Sequence, residues 1–235
     1  IPSVAYNLAV PLFYALTASA AFSIAYNLAA AFLHGANLKT ARRLPSPIVA
    51  GVAGAVLVVG IGNLDGGIQV AQGAWRVVTD HIPFPPFDFW RSSRMMPPTI
   101  SITEFPFWSF LFADLHAHLM GMPFYLLVIG LALNMALGWK RGVGFTSETA
   151  SLLLAALAIG ALRVINSWDY PTFVLLAGAG AAIGEVSARR RMDAVAVAWV
   201  ALKLAILAFL SMLFFLPFHQ KFAVFYGGVL PSAEQ

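Results

Sequence analysis

Residues 194–216 have the sequence AVAVAWVALKLAILAFLSMLFFL, which contains a single charged side chain, Lys203. A helix rises ~1.5 Å per residue, so about 20 apolar residues cross the ~30 Å hydrocarbon core of a bilayer. This stretch is long enough and apolar enough to do so. It therefore predicts a transmembrane helix.

The rest of the chain follows the same pattern. The 235 residues are 60% hydrophobic and 10% charged, whereas soluble domains carry about 25% charged residues. The other apolar stretches are 8–33, 47–62, 119–137, 151–164 and 172–186. Because 151–164 and 172–186 are short, we expect these two spans to be tilted or partly re-entrant. The sequence predicts an all-α, polytopic transmembrane bundle of about six spans that forms a single transmembrane domain over residues 1–235.

Several functions are excluded by what the sequence lacks. There is no cysteine, so disulfides, thiolate chemistry and Cys-ligated zinc are excluded. The net charge of +4 is dispersed and predicts no nucleic-acid partner. No glycine-rich phosphate loop, serine-hydrolase motif or His-Glu-x-x-His motif is present. Because the chain begins at Ile1 and enters a span almost at once, we expect it to be a fragment of a longer protein.

Basic residues predict the orientation of the spans. They follow the first, third and fifth spans, so these loops share one side if all six spans are real. Such loops are cytoplasmic in membrane proteins, which predicts a plasma-membrane protein with segment 63–118 outside. The basic residues concerned are Lys39, Arg42, Arg43, Lys140, Arg141, Arg189, Arg190 and Arg191.

The long outer segment contacts the lipid surface in this prediction. Residues 68–78 place Gln69, Gln72 and Arg76 among apolar side chains, which predicts an amphipathic interfacial helix. Aromatic residues are frequent between Phe84 and Phe112. We expect this segment to lie on or dip into the outer leaflet, with membrane lipids as its partners.

Tyrosines mark the two ends of the first span. Ala5-Tyr6-Asn7-Leu8-Ala9 recurs as Ala25-Tyr26-Asn27-Leu28-Ala29. The spacing places the tyrosines roughly 30 Å apart along a helix. This suits an aromatic anchor at each membrane interface.

The sharpest local motif is Asp114-Leu115-His116-Ala117-His118, just before the third span. In an extended backbone, Asp114, His116 and His118 point the same way and could hold a divalent metal such as Mg or Mn. In the first turn of a helix, Asp114 and His118 share a face instead. The alternative without a site makes Asp114 a helix cap and His118 an interfacial residue.

Asp169 is the second candidate acid on the outer side. It lies in Asn166-Ser167-Trp168-Asp169-Tyr170-Pro171, between the fourth and fifth spans. One interpretation has Asp169 capping the fifth helix, with Pro171 in the first turn. The other has Asp169 facing the same outer cavity as Asp114, with Arg163 able to pair with either acid.

Trp90-Arg91-Ser92-Ser93-Arg94 is a candidate phosphate-binding stretch. Arg91 and Arg94 could bind a phosphate through paired N–H groups. Contact with anionic lipid headgroups or with Glu104 is the alternative.

Lys203 lies near the middle of the last span. A charge at that depth is costly and by default indicates function, whereas snorkelling toward the inner face is the rival explanation. Glu148, Glu185 and Asp193 are placed near the inner face, so we predict no acid at a depth matching that of Lys203.

Five stretches together resemble the YYY-domain family of uncharacterised polytopic membrane proteins. The resemblance covers most of the chain, and its most specific part runs from Glu104-Phe105-Pro106-Phe107 to Asp114-Leu115-His116-Ala117-His118. The tyrosine triplet that names the family is absent and is expected upstream of Ile1. The five stretches are Ala5-Tyr6-Asn7-Leu8-Ala9, Trp90-Arg91-Ser92-Ser93-Arg94, Ile102-Thr103-Glu104-Phe105-Pro106-Phe107, Phe112-Ala113-Asp114-Leu115-His116-Ala117-His118 and Asn166-Ser167-Trp168-Asp169-Tyr170-Pro171.

That family is distantly similar to the GT-C superfamily of membrane glycosyltransferases. The similarity implies a polyprenyl-phosphate sugar donor at the outer face and an outer-loop acid that serves as a base or metal ligand. The residues that would carry this chemistry are the acids Asp114, Asp169 and Glu104, the substrate-binding residues Trp90, Arg91, Arg94 and Arg163, and the metal ligands Asp114, His116 and His118.

Two other functions remain open from the sequence. A non-catalytic membrane subunit would use its glycines and aromatics as contact surface for protein partners. A transporter would need Lys203 and an acid facing one cavity near the midplane.

Overall fold

The computed structural model describes residues 2–35, 44–61, 64–93, 104–138 and 145–222. These ranges are helical and contain no strand, as predicted. Arg94 and the basic residues at positions 39, 42, 43, 140 and 141 lie outside them. The helices are α1 (Pro2–Gly35), α2 (Pro47–Ala55) continued by a π-helical turn (Val56–Gly60), α3 (Asp65–Thr79), α4 (Pro106–Phe112), α5 (Ala117–Leu137), α6 (Phe145–Ile165), α7 (Asp169–Arg189), α8 (Ala194–Leu213) and α9 (Leu216–Lys221), with a 3-10 turn at Arg91–Ser93.

Five of these helices are long and apolar enough to cross a bilayer: α1, α5, α6, α7 and α8. The prediction that the fourth and fifth spans are short is wrong, because α6 and α7 have 21 residues each. The predicted second span is the exception. Pro47–Gly60 is long and apolar enough for a span only when it is taken together with α3, and the two helices are bent by 82° relative to each other. The described residues therefore hold five spans, or six if this bent pair counts as one.

The outward-facing side chains are apolar along each of these helices. Leu8, Leu57, Leu175 and Phe209 are all more than 60% exposed. Apolar surface on this scale is stable when lipid covers it and unfavourable in water. The structure is that of an integral membrane protein in contact with lipid.

The chain divides into two compact units, Ile1–Gly130 and Leu131–Gln235, each of which is described by itself. In the first unit, the buried core joins Val59, Phe110 and Leu119. This core fixes α4 and the start of α5 against the π-helical turn. The Phe22 ring packs directly on Gly51, so α1 and α2 approach closely, as small residues allow.

The predicted amphipathic helix 68–78 is observed as α3. Phe84 folds back onto this helix, and a Cβ at Gly73 would lie 2.5 Å from its ring. Trp75 and Val78 point outward and are among the most exposed apolar residues of the unit. The segment after α3 is therefore held against one face of the helix, and the other face is apolar.

In the second unit, α7 packs against the end of α5 through glycine. A Cβ at Gly180 or Gly184 would collide with the backbone of Ala132 or Met135. The start of α8 is capped by Asp193, whose carboxylate accepts a hydrogen bond from the Ala196 N–H at 2.8 Å. That hydrogen bond lowers the pKa of the Asp193 carboxyl below its usual range, assisted by the nearby charge of Arg191.

Candidate functional site

The segment between α4 and α5 is a tight turn. Helix α4 ends at Ala113 in the left-handed conformation, with φ 59°. The His116 N–H then donates to the Asp114 carbonyl at 2.8 Å, and the Met120 N–H donates to the His116 carbonyl at 3.0 Å. His116 rather than Asp114 thus precedes the first turn of α5. The predicted cap at Asp114 is not formed, and the motif is neither fully extended nor fully helical.

Two carboxylate–imidazole pairs form at this turn. Asp114 Oδ2 lies 2.5 Å from His116 Nδ1, and Glu104 Oε2 lies 2.5 Å from His118 Nε2. The two imidazole rings are 5.5 Å apart between centroids. Ser109 donates a further hydrogen bond to Glu104 at 3.1 Å. We refer to Glu104, Asp114, His116 and His118 as the acid–histidine cluster.

Tyr6 holds the turn that carries Asp114. Its hydroxyl donates to the Ala113 carbonyl and accepts from the Leu115 N–H, both at 3.1 Å. The same hydroxyl lies 3.4 Å from Asp114 Oδ1. The sequence predicted only an interfacial anchor at Tyr6, because a contact to a residue 108 positions away leaves no local signal.

Arg91 is fixed on α3 rather than paired with Glu104. Its Nε and Nη2 atoms lie 2.9 and 2.7 Å from Asp65 Oδ1. Gln69 donates from its amide to Asp65 Oδ2 at 2.8 Å and to the Asp88 carbonyl at 3.0 Å. The guanidinium is therefore oriented by a network of polar contacts while its side chain stays 48% exposed.

An aromatic cluster of Trp90, Trp108 and Phe112 connects Arg91 to the acid–histidine cluster. Ring centroids are 5.5 Å apart for Trp90 and Trp108, 5.2 Å for Trp90 and Phe112, and 5.0 Å for Trp108 and Phe112. Trp90 directly precedes Arg91 in the chain, and Phe112 lies two positions before Asp114. The contact between Trp90 and Phe112 thus brings the two polar segments together within the first unit.

Asp169 and Arg163 belong to the second unit. Asp169 is the first residue of α7, and Trp168 is the N-cap of this helix. A carboxylate in the first turn interacts favourably with the helix dipole. The Arg163 guanidinium carbon lies 5.1 Å from the centre of the Tyr170 ring. The buried Arg163 Nε has no hydrogen-bond partner among the described residues.

Lys203 does have acidic partners, so the prediction of no acid at its depth is wrong. Its Nζ contacts Glu148 Oε1 and lies 3.1 Å from Glu185 Oε2. Arg189 holds the other oxygen of Glu185 at 2.5 Å. The long lysine side chain and the two glutamates meet between their helices, and these three residues line a cavity of about 160 Å³.

The acid–histidine cluster does not arrange its imidazoles around one point. Within the described ranges, no three His, Asp or Glu side chains are placed to hold a metal ion together. Each imidazole instead has its own carboxylate. A metal at Asp114, His116 and His118 would require His118 to leave Glu104, so the metal site stays a prediction.

The spans and their outward apolar faces define a polytopic helical membrane protein. The chain belongs to the family of uncharacterized membrane proteins DUF2298, which matches it over residues 1–234. This confirms the predicted resemblance at the level of an uncharacterised membrane protein family. No curated protein and no solved structure matches the chain.

Proposed function

We propose that this protein is a membrane glycosyltransferase that uses a polyprenyl-phosphate-linked sugar at the outer face of the plasma membrane. The observation that carries the proposal is the acid–histidine cluster, in which two imidazoles each pair with a carboxylate. Such pairs are the usual means of positioning a general base. The same unit contains Arg91, whose guanidinium is oriented by Asp65.

His116 is the base in this proposal. Asp114 binds its Nδ1, so the Nε2 atom on the opposite edge of the ring is the one that meets an acceptor hydroxyl. The His116 side chain is 64% exposed, which gives a substrate access to it. Asp114 thereby acts as a positioning residue, and the pair of Glu104 and His118 supports the neighbouring ring.

The transfer step is a displacement at the sugar. His116 Nε2 takes the acceptor proton as the acceptor oxygen forms a bond to the anomeric carbon. The bond between that carbon and the phosphate oxygen breaks, and the polyprenyl phosphate leaves with the electron pair. Arg91 stabilises this negative charge through guanidinium N–H groups that do not face Asp65. Trp90 and Phe112, the two exposed rings of the aromatic cluster, provide an apolar surface for the first isoprene units.

A divalent cation such as Mg or Mn would be held by Asp114, His116 and His118 and would neutralise charge on the phosphate. Its binding would require His118 to leave Glu104. Arg94 lies outside the described residues, and Arg163 and Asp169 lie in the second unit. Their roles in substrate binding and catalysis stay predictions. The basic loops are placed in the cytoplasm in this proposal.

The test is release of polyprenyl phosphate from a polyprenyl-phosphate hexose by purified protein in lipid nanodiscs, with and without Mg²⁺, Mn²⁺ or a chelator. We expect His116→Ala and Asp114→Asn to lower turnover by roughly 10²- to 10⁴-fold. His81→Asn is the matched control, because His81 lies in the same outer segment with φ 52°, which asparagine tolerates. Unchanged turnover in both Asp114→Asn and Arg91→Ala contradicts the proposal.

Transport is the second candidate function, and the Lys203 cavity is the observation that favours it. A transporter needs a charged side chain and an acid that face one cavity. Lys203 and Glu185 both line the cavity described above. Uptake of a labelled solute into proteoliposomes that is lost in Lys203→Met would support it. Equal uptake by wild type and variant would contradict it.

A further inference from the structure

The Lys203 cavity is built from the helices of the second unit. Its polar lining comes from α5 through Asn134, from α6 through Glu148 and Ser151, from α7 through Glu185, and from α8 through Lys203. Asn134 donates a hydrogen bond to Ser151 Oγ at 2.9 Å, which fixes the neutral part of the lining. The remaining lining residues are apolar: Met135, Gly138, Ala181, Gly184 and Ala188.

The ammonium group of Lys203 shows what the two carboxylates can bind. A primary ammonium donates up to three hydrogen bonds, and Lys203 directs it at both Glu148 and Glu185. The two carboxylates differ in exposure and in the number of cations that hold them. Glu185 is 14% exposed and is also held by Arg189, whereas Glu148 is 46% exposed. Glu148 is therefore the partner that can turn from Lys203 toward another cation.

The charges of the site sum to zero. Glu148 and Glu185 carry two negative charges, and Lys203 and Arg189 carry two positive charges. A ligand with a net charge would leave one charge without compensation in a weakly polar surrounding, which is unfavourable. A zwitterion can enter between Lys203 and Glu148 and replace one ion pair by two, so every charge keeps a partner.

The position of the site matches the headgroup level of a bilayer. Glu148 lies in the first turn of α6, and Arg189 is the last residue of α7. Both therefore lie where spans end, next to the basic stretch from Arg189 to Arg191. The cavity of about 160 Å³ beside these charges leaves room for a small polar group.

We propose that this cavity binds a zwitterion composed of a primary ammonium and a phosphate, the chemistry of an aminoethyl phosphate group. The ammonium donates to Glu148, and the phosphate accepts from Lys203. The group is supplied either by the headgroup of phosphatidylethanolamine or by a small soluble zwitterion. A trimethylammonium group has no N–H to donate, so the site discriminates against choline headgroups. The site is independent of the proposed transferase chemistry, since none of its residues takes part in the transfer step.

The first arm of the test measures lipid retention. Purified protein is equilibrated with equal amounts of phosphatidylethanolamine and phosphatidylcholine of matched chains, and the bound lipids are counted by native mass spectrometry. We expect about tenfold enrichment of phosphatidylethanolamine, the factor that one charge-assisted hydrogen bond provides. Glu148→Gln should abolish the enrichment. Asp193→Asn, an acid-to-amide change nearby in sequence that can still cap α8, should keep it.

The second arm uses wild-type protein only, so it does not depend on the folding of any variant. Thermal unfolding in detergent is recorded with glycerophosphoethanolamine and with glycerophosphocholine, which are phosphodiesters with no net charge. Protection by glycerophosphoethanolamine alone without lipid enrichment assigns the site to a soluble zwitterion, and lipid enrichment without this protection assigns it to the headgroup. No preference for the primary ammonium in either arm overturns the proposal, as does enrichment that Glu148→Gln leaves unchanged.

Discussion

Replacing Lys203 with methionine tests how the second unit tolerates charge within its spans. Methionine keeps the length and apolar stem of lysine and removes only the ammonium group. The change leaves Glu148 and Glu185 without their shared cation. We expect the variant to fold and to be less stable than the wild type.

The magnitude follows from the contacts of the two glutamates. Charges 3.1 Å apart, as for Lys203 and Glu185, attract by ~5 kcal/mol at an effective dielectric constant of ~20, and desolvation offsets much of this. Removal of one partner from a buried pair typically costs ~3–5 kcal/mol. Here Glu185 keeps Arg189 as a partner and Glu148 is nearly half exposed. We therefore expect Lys203→Met to lower the free energy of unfolding by about 2–3 kcal/mol.

The assay is reversible unfolding of the purified protein in mild detergent with increasing dodecyl sulfate, followed by circular dichroism. Lys221→Met is the matched control, because Lys221 is exposed at the end of α9 and its loss should change stability by under about 0.5 kcal/mol. The triple variant Lys203→Met, Glu148→Gln, Glu185→Gln should recover part of the lost stability, since it leaves no unpaired carboxylate there. A Lys203→Met variant as stable as the Lys221→Met control refutes the reasoning.

Three further changes test other parts of the fold. Tyr6→Phe removes the hydroxyl that accepts from the Leu115 N–H, so hydrogen exchange at that amide should rise by about tenfold, while overall unfolding changes by only about 1 kcal/mol. Gly184→Leu places side-chain atoms against the backbone of α5 and should lower the free energy of unfolding by at least about 1–3 kcal/mol in the same unfolding assay. Gly67→Ala, with nothing within 4 Å of the new atom, should lower it much less. Asp193→Ala should make the free energy of unfolding less dependent on pH in acid. The hydrogen bond from Ala196 lowers the folded-state pKa of Asp193 below its usual value of 3.8, so the contribution of Asp193 to stability is present above that value and is lost as pH falls through the folded-state pKa, which chemical unfolding measured against pH would show.

The spans were predictable because any helix that crosses a bilayer needs about 20 mostly apolar residues. The bounds of the fourth and fifth spans were not, since Glu148 interrupts the apolar run near the start of α6 while the helix continues. Asp169 and Arg189 do the same at the two ends of α7. A charged side chain near a helix end can find a partner or reach water, so it ends the apolar stretch without ending the helix.

The candidate site was predictable in part. The spacing of Asp114, His116 and His118 identified the segment, and both backbone alternatives placed a carboxylate beside an imidazole. The pair of Glu104 and His118 and the contact from Tyr6 depend on how α1 and α4 pack, which no local pattern contains. Lys203 and Glu148 are likewise 55 positions apart, and their meeting depends on the packing of α6 against α8.

Stability alone does not account for the ions around Lys203. A buried ion pair is on average no more stabilising than well-packed apolar side chains of similar volume, so a purely structural role would be served equally well by leucine or methionine. A structural pair would also be closely packed, whereas the Lys203 side chain borders a cavity of about 160 Å³ that an apolar side chain could fill. Lys203 starts from the middle of α8, where a charge is unfavourable, and reaches two carboxylates that leave a cavity beside it, which is the arrangement of a binding site. The retention of a primary-ammonium zwitterion measures this directly, because a merely structural ion pair predicts equal binding of both lipids.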